Sequence, residues 1–217
     1  PLDLDAEDLR VLLDGLGDLL SAIRDDVPFR NARPGVEAAG GGDSTYLQYD
    51  ARIADQARQW LTEHQDDEQP WALFVSFVLP HPPYMAPPHL YERYLAMDLP
   101  FPAQWRPEDW PQHPAMDYMR RFFSFDEPFA EDTIHRLLAA YYGMCTYLDE
   151  QIGRVLDALQ TTRMAANTRI IYSSDHGEHL GGRGIFGKFS MYEESARVPL
   201  IIAGPDVPAA KVGGTPG

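Results

Sequence analysis

Residues 131–159 constrain the fold most. Ile134, Leu137, Leu138, Tyr141, Met144, Cys145, Leu148, Ile152, Val155, Leu156 and Leu159 recur at three- and four-residue steps. That spacing predicts one long amphipathic helix from about Glu131 to Leu159. The segments on either side follow another rule. Residues 71–79, WALFVSFVL, lie between Pro70 and Pro80 and are rich in β-branched and aromatic side chains, so they predict a short buried strand. Residues 168–174 (TRIIYSS) and 198–203 (VPLIIA) predict two more, the last closed by Gly204-Pro205. Apolar strands alternating with helices point to an α/β domain with a largely parallel central sheet flanked by helices.

The rest of the chain is less regular. Leu9, Leu12, Leu13, Leu16, Leu19 and Leu20 suit an amphipathic helix within residues 1–27, interrupted by two glycines. Residues 28–43 read as loop, because Pro34, Gly35 and Gly40–Gly42 break any period. Asp43 or Ser44 then caps a second helix that carries Tyr49, Ile53, Ala57, Trp60 and Leu61. Residues 81–129 form a long proline- and aromatic-rich excursion, a length that marks either a lid or a disordered segment. Its aromatic content argues for order. Trp105, Trp110, Tyr118, Phe122 and Phe123 are equally consistent with a pocket wall and with packing.

Charge narrows the partners. Asp+Glu number 33 against 18 Lys+Arg, a net charge of −15. A nucleic acid needs a basic face, and none is visible. A small anion is still compatible, because a metal and a few local cations can reverse the field of one pocket. No segment reaches the roughly 18–20 apolar residues that span a bilayer. A single cysteine, Cys145, precludes an internal disulfide and assigns no compartment. Its place on the apolar stripe marks it as an inert core thiol. The sequence leaves a homo-oligomer open.

Chemistry-bearing residues gather where predicted strands end. Asp175 and His176 follow the 168–174 strand, and ligands of open α/β sheets bind beyond such carboxyl ends. A carboxylate and a neutral imidazole there can face a divalent cation. Alternatively, Asp175 caps a turn and His176 is a polar loop residue. His81, in Pro80-His81-Pro82-Pro83-Tyr84, also sits just past an apolar run. A histidine held between prolines can meet an anionic oxygen or protonate a leaving group, unless it is only part of a turn. Lys188 ends a glycine-rich loop and can bind a tetrahedral anion as a point charge; the alternative is a surface lysine. Arg197 reads as a buried structural partner of Glu193 or Glu194.

Three segments together resemble the sulfatase family of the alkaline phosphatase superfamily. SFVLPHPPY (76–84) is similar to its strand-Pro-His-x-Pro-Tyr/Phe element. AAYYGMCTYLDEQIGRVLDAL (139–159) is similar to the helix before the metal-binding strand. IIYSSDHGEHLGGRGIFGKFSMYEESARVPLIIAGP (170–205) resembles the Ser-Asp-His/Asn-Gly-Glu/Asp…Gly-Lys…Tyr-Glu-Glu-Ser-x-Arg-Val-Pro-Leu block, and this match is long and specific. The resemblance implies that Asp175 and His176 ligate a divalent cation, calcium above all, with manganese the alternative. It implies that His81 and Lys188 are catalytic and hold the oxygens of a small anionic sulfate ester. His after the metal-binding Asp leans toward the choline-sulfatase and phosphonate-monoester-hydrolase branch.

The family's nucleophile element, Cys/Ser-x-Pro-x-Arg, whose cysteine becomes formylglycine, is not in the sequence, and neither is an early strand ending in metal-binding acids. Cys145 is followed by Thr146-Tyr147-Leu148 and cannot fill that role. The resemblance covers about 44–205. The expectation is therefore one incomplete domain over 1–217, a partial alkaline-phosphatase-like sandwich without its N-terminal strands, formylglycine or half of its metal site, and inactive by itself. The rivals are a phosphonate or phosphate ester hydrolase of the same superfamily and a catalytically dead anion-binding homologue.

Overall fold

The computed structural model describes residues 31–208, so the leucine-rich helix expected within 1–27 lies outside the described residues. Helix α1 (Arg33–Glu37) is one turn inside the expected loop, with a proline in its first turn. Strand β1 (Gly40–Gly41) follows, then helix α2 (Thr45–Glu63). Ser44 caps α2, its Oγ accepting the Leu47 N–H at 3.2 Å. Strand β2 (Met85–Ala86) leads at once into helix α3 (Pro88–Leu95), which also starts on proline. Helix α4 (Pro114–Phe123) and helix α5 (Glu131–Gln160) come next. Strand β3 (Ile170–Ser173), the single-turn helix α6 (Glu193–Ala196) and strand β4 (Leu200–Ala203) complete the order.

Helix α5 is the spine. Its 30 residues span roughly 45 Å at 1.5 Å per residue. Glu131 and Asp132 in the first turn suit the positive end of the helix dipole. Ile134, Leu137, Leu138, Ala139, Ala140, Met144 and Leu148 are buried where α2 and α3 pack against it. Gly143 lets it approach β2, since a Cβ there would lie 2.7 Å from that of Ala86. A second cluster forms at the far end, where Leu61, Leu159 and Met164 are buried beside Trp60, Trp71 and Leu73. No helix among the described residues is long and apolar enough to cross a membrane.

The strands fit the α/β class but differ in detail. β1 and β2 run parallel, Gly40 opposite Met85 and Gly41 opposite Ala86. β3 and β4 run antiparallel, Ile170 opposite Ala203 and Ser173 opposite Leu200. An apolar run carries no information about the direction of its neighbour, so the expected parallel pairing does not extend to this pair. Residues 71–79 join no ladder among the described residues. They are not the fully buried strand that their composition suggests: burial alternates, and Phe74 is 90% exposed. Period-two burial without a ladder is a strand conformation lacking lateral partners. Ile171, Leu200, Ile201 and Ile202 are exposed as well.

The 81–129 excursion is ordered and is built around packing. It contains α3, α4 and a short 3₁₀ turn at Pro107–Asp109. Phe123 stacks on Phe189 at 4.6 Å, Phe125 meets Phe186 at 4.8 Å, and Phe101 meets Trp105 at 4.8 Å. Arg120, only 3% exposed, is the buried cation. It donates to the carbonyls of Arg183 and Pro111 and pairs with Asp117. Arg197, by contrast, meets Glu193 at 3.7 Å with both side chains exposed, so the expected buried pair is a surface one. Glu194 pairs with Arg183 instead, at 2.5 Å.

Candidate functional site

Strand β3 delivers Ser174, Asp175 and His176 into a tightly bonded turn. Asp175 Oδ1 accepts the His176 N–H at 3.0 Å, and Ser174 Oγ donates to the His176 carbonyl at 3.0 Å. His176 Nδ1 lies 2.9 Å from the Gly177 carbonyl, which can only accept. The neutral ring therefore carries its proton on Nδ1 and leaves the Nε2 lone pair free. That nitrogen sits 3.6 Å from Asp175 Oδ2, and Asp175 is 85% exposed. Slight burial works against the Asp175 charge, but the His176 ring in its charged form and the surrounding N–H and hydroxyl donors prevail and lower its pKa. A free imidazole nitrogen beside an ionised carboxylate, with the other ring nitrogen pinned to a backbone carbonyl, is the donor arrangement of a metal ligand pair. Two donors are fewer than a divalent cation takes. No group of three or more His, Cys, Asp or Glu able to hold a metal occurs among the described residues.

Beyond His176 the chain needs glycine. A Cβ on Gly177 would lie 2.1 Å from the Glu194 carbonyl oxygen, and the Gly177 N–H donates to Ser195 O at 2.7 Å. At Gly184, φ is +69° and a Cβ would lie 2.4 Å from the Trp110 ring. The glycine-rich loop thus sits directly under the excursion. Glu178 Oε1 accepts two N–H groups, from Leu180 at 3.1 Å and Gly187 at 2.5 Å. The Gly187 carbonyl accepts the His179 N–H at 3.0 Å, and the Lys188 carbonyl accepts the Ser195 hydroxyl. The backbone that presents Lys188 is therefore held at successive residues. The half-buried Lys188 ammonium has no ion-pair partner among the described residues.

A second layer stiffens this loop. His179 is buried, with Nε2 2.7 Å from Ser190 Oγ. Burial lowers its pKa; the nearby Glu194 opposes that shift and Arg183 reinforces it. Arg183 also lies over the Tyr192 ring at 4.1 Å.

His81 stands on a separate segment, just before β2. Its Nδ1 lies 2.7 Å from the Pro82 carbonyl, so in the neutral ring that nitrogen again carries the proton and Nε2 is the acceptor. Such an Nε2 donates to an anion only when the ring is protonated. The Tyr46 ring meets His81 edge-on at 6.0 Å. Three and two residues before His81, Val78 and Leu79 are anchored by Asp50 of α2: Oδ1 accepts Val78 N–H at 2.9 Å and Oδ2 accepts Leu79 N–H at 3.0 Å. Asp50 is 0% exposed, and burial outweighs those two bonds to raise its pKa.

Tyr84, three residues past His81, is buried, and burial above all, then the Glu178 carboxylate, raises the pKa of its hydroxyl. Asp175 and His176 are thus neighbours, while His81 and Lys188 stand on separate segments. No hydrogen bond or ion pair links either of them to Asp175 or His176 among the described residues.

Asp50 and the role of Glu178 escaped the sequence reading. Asp50 had a signal: it lies on the stripe Leu47, Ala54, Ala57, Leu61, where a charge needs a buried partner. Glu178 had none beyond its place in the block, because a carboxylate that accepts backbone N–H groups leaves no side-chain pattern.

Comparison with known proteins gives the relatives of this chain. The sequence model of the family described as Sulfatase matches residues 21–215. A choline-sulfatase of Rhizobium meliloti (strain 1021) is 37% identical over 181 residues, which are 79% of this chain and 35% of that protein. Arylsulfatase K of Xenopus laevis is 30% identical over 200 residues, 84% of this chain and 37% of that protein. Among solved structures, the phosphonate monoester hydrolase SpPMH from Silicibacter pomeroyi superposes with a TM-score of 0.57 at 29% identity, covering 72% of this chain and 33% of that one. The chain spans about a third of the length of the curated relatives it matches.

Proposed function

The chain belongs to the sulfatase family of the alkaline phosphatase superfamily, and from that premise we propose that it is part of a metal-dependent hydrolase of sulfate monoesters. The observation that carries the proposal is the pairing of the His176 Nε2 with the Asp175 carboxylate at 3.6 Å, followed by a loop whose Lys188 has no ion-pair partner among the described residues.

Asp175 and His176 would hold the divalent cation together with ligands from outside these residues. Calcium is the expected ion and manganese the alternative, since a carboxylate suits both. When bound, the cation supplies Lewis-acid polarisation of a sulfate oxygen. Lys188 contributes a fixed positive charge to another oxygen, in a loop that need not reorganise during reaction. His81, once protonated, donates through Nε2 to the ester or leaving-group oxygen while Pro82 fixes the ring. A formylglycine from a Cys/Ser-x-Pro-x-Arg element, which the 217 residues do not contain, would supply the nucleophile. Cys145 is no substitute, because burial pushes its thiol up to about 11.

One observation favours a second reading. The 29% identity to a phosphonate monoester hydrolase, with histidine following the metal-binding aspartate, supports a phosphonate or phosphate ester as substrate. The full-length protein, assayed with an aryl sulfate, choline sulfate and an aryl phosphonate, with and without calcium or manganese, separates the two. Sulfate ester turnover that requires the metal supports the main reading. Phosphonate turnover alone supports the second, and no turnover with any ester refutes both. Lys188→Ala should lower kcat/KM by about 10²–10³-fold, the loss of one donor to developing charge. Asp175→Asn should reduce bound metal by elemental analysis; unchanged metal content would remove Asp175 from the ligand set.

A further inference from the structure

We infer that Tyr46 and Asp50, one turn apart on α2, are positioning residues for His81, Asp50 acting on its backbone and Tyr46 on its ring. The inference rests on the proposed function for what His81 does. The contacts themselves stand on geometry.

His81 stands between two anchors. Downstream, the β1 segment holds the chain: the Gly40 N–H donates to the Tyr84 carbonyl at 3.0 Å and the Gly42 N–H to the Ala86 carbonyl at 2.8 Å. Upstream, residues 71–79 join no ladder among the described residues, so no sheet fixes that side. Asp50 fixes it instead. Its two oxygens take successive N–H groups, Val78 at 2.9 Å and Leu79 at 3.0 Å, and so orient two consecutive peptide planes. The Val78 carbonyl then accepts the His81 N–H at 3.1 Å, so the bonds on either side of Val78 lead from the carboxylate to the His81 backbone. Asp50 is completely buried and acts only through this segment. Tyr46 lies four residues earlier, on the same side of the helix. Its ring meets that of His81 edge-on at 6.0 Å, while the Pro82 carbonyl holds His81 Nδ1 at 2.7 Å. The helix is itself a fixed base, because Ser44 caps it and the Tyr147 hydroxyl of α5 donates to the Leu47 carbonyl at 3.1 Å. Misplacement of a reacting group by about 1 Å costs on the order of 10²-fold in rate.

Asp50→Asn, Tyr46→Leu, Tyr46→Phe and His81→Ala in the full-length protein test this, each assayed where circular dichroism shows it folded. Asparagine leaves one of the two N–H groups without an acceptor, so kcat for sulfate ester hydrolysis should fall about 10²-fold while KM changes less than about 3-fold. Added to His81→Ala, Asp50→Asn should cost less than about 3-fold more, because its effect passes through His81. Tyr46→Leu should lower kcat about 10-fold, and Tyr46→Phe, which keeps the ring, should recover most of that loss. In the NMR spectrum the ring nitrogen resonances of His81 should move in Asp50→Asn and in Tyr46→Leu, which a loss of stability alone does not cause in a folded protein. Bound metal should stay at the wild-type level. Wild-type kcat in Asp50→Asn or Tyr46→Leu, losses that multiply with His81→Ala, or unmoved His81 resonances would each overturn the inference, as would a loss of bound metal that matches the loss of kcat. If the wild-type protein hydrolyses no ester, the proposed function fails, and the His81 resonances still decide whether α2 places the ring.

Discussion

Asp50→Asn is the sharpest probe of how this fold places His81. The carboxylate is completely buried and gives one oxygen to each of two successive N–H groups, Val78 at 2.9 Å and Leu79 at 3.0 Å. Asparagine is nearly isosteric but has one acceptor. Whichever way its amide turns, one backbone N–H faces an NH₂, and neither finds water. Each buried unsatisfied group costs about 1–3 kcal/mol. Relief of a desolvated charge offsets part of this, which leaves a net loss of about 2–3 kcal/mol. For a chain of this size 1 kcal/mol shifts Tm by about 2–4 °C, so the expected fall is about 4–12 °C by calorimetry or circular dichroism. The pH dependence gives a second signature. Burial raises the folded pKa above its ordinary 3.8, so the native state binds this proton more tightly than the unfolded chain. Stability from this group therefore falls as pH rises from 3.8 through the folded value, and Asp50→Asn lacks that component. The gap between wild type and variant should be widest on the acid side of that window and narrow above it. Urea midpoints across the range measure it. A variant within about 0.5 kcal/mol of wild type, or a gap that widens with rising pH, would refute the reasoning.

Two further outcomes follow from local geometry. Gly177→Ala places a Cβ 2.1 Å from the Glu194 carbonyl and strains the 2.7 Å bond to Ser195, so it should cost about 2–4 kcal/mol in urea denaturation. Cys145, with its thiol raised from 9.0 to about 11, should react with a disulfide reagent near pH 8 about 100-fold more slowly in the native protein than in urea.

What the sequence disclosed follows from how local each signal is. The period of α5 and the cap of α2 are written in neighbouring residues, and both helices stand within a residue or two of expectation. β3 and β4 were legible as apolar runs, but their antiparallel pairing was not, because direction depends on a distant partner. Residues 71–79 show the same limit: composition set an extended backbone, while a ladder needs neighbours. In the excursion, α3 and α4 are too short to show a period and start on prolines that read equally as turns. Its rings resolve as packing on Phe186, on Phe189 and on one another. At the site, Asp175 and His176 were visible because they adjoin in sequence. Asp50 and Arg120 bond to backbone groups far along the chain, and no local pattern names those partners.

The uncovered isoleucines of β3 and β4 bear on colloidal behaviour. Ile171, Leu200, Ile201 and Ile202 face outward on a two-stranded ladder whose outer edges pair with nothing among the described residues. Such an edge is a template onto which another copy can add a strand. Opposing this is a net charge of −15, which makes like copies repel. The repulsion is screened beyond about 8 Å at physiological ionic strength, whereas apolar association is not. Added salt should therefore promote self-association of these 217 residues, and dilute buffer should keep the copies apart.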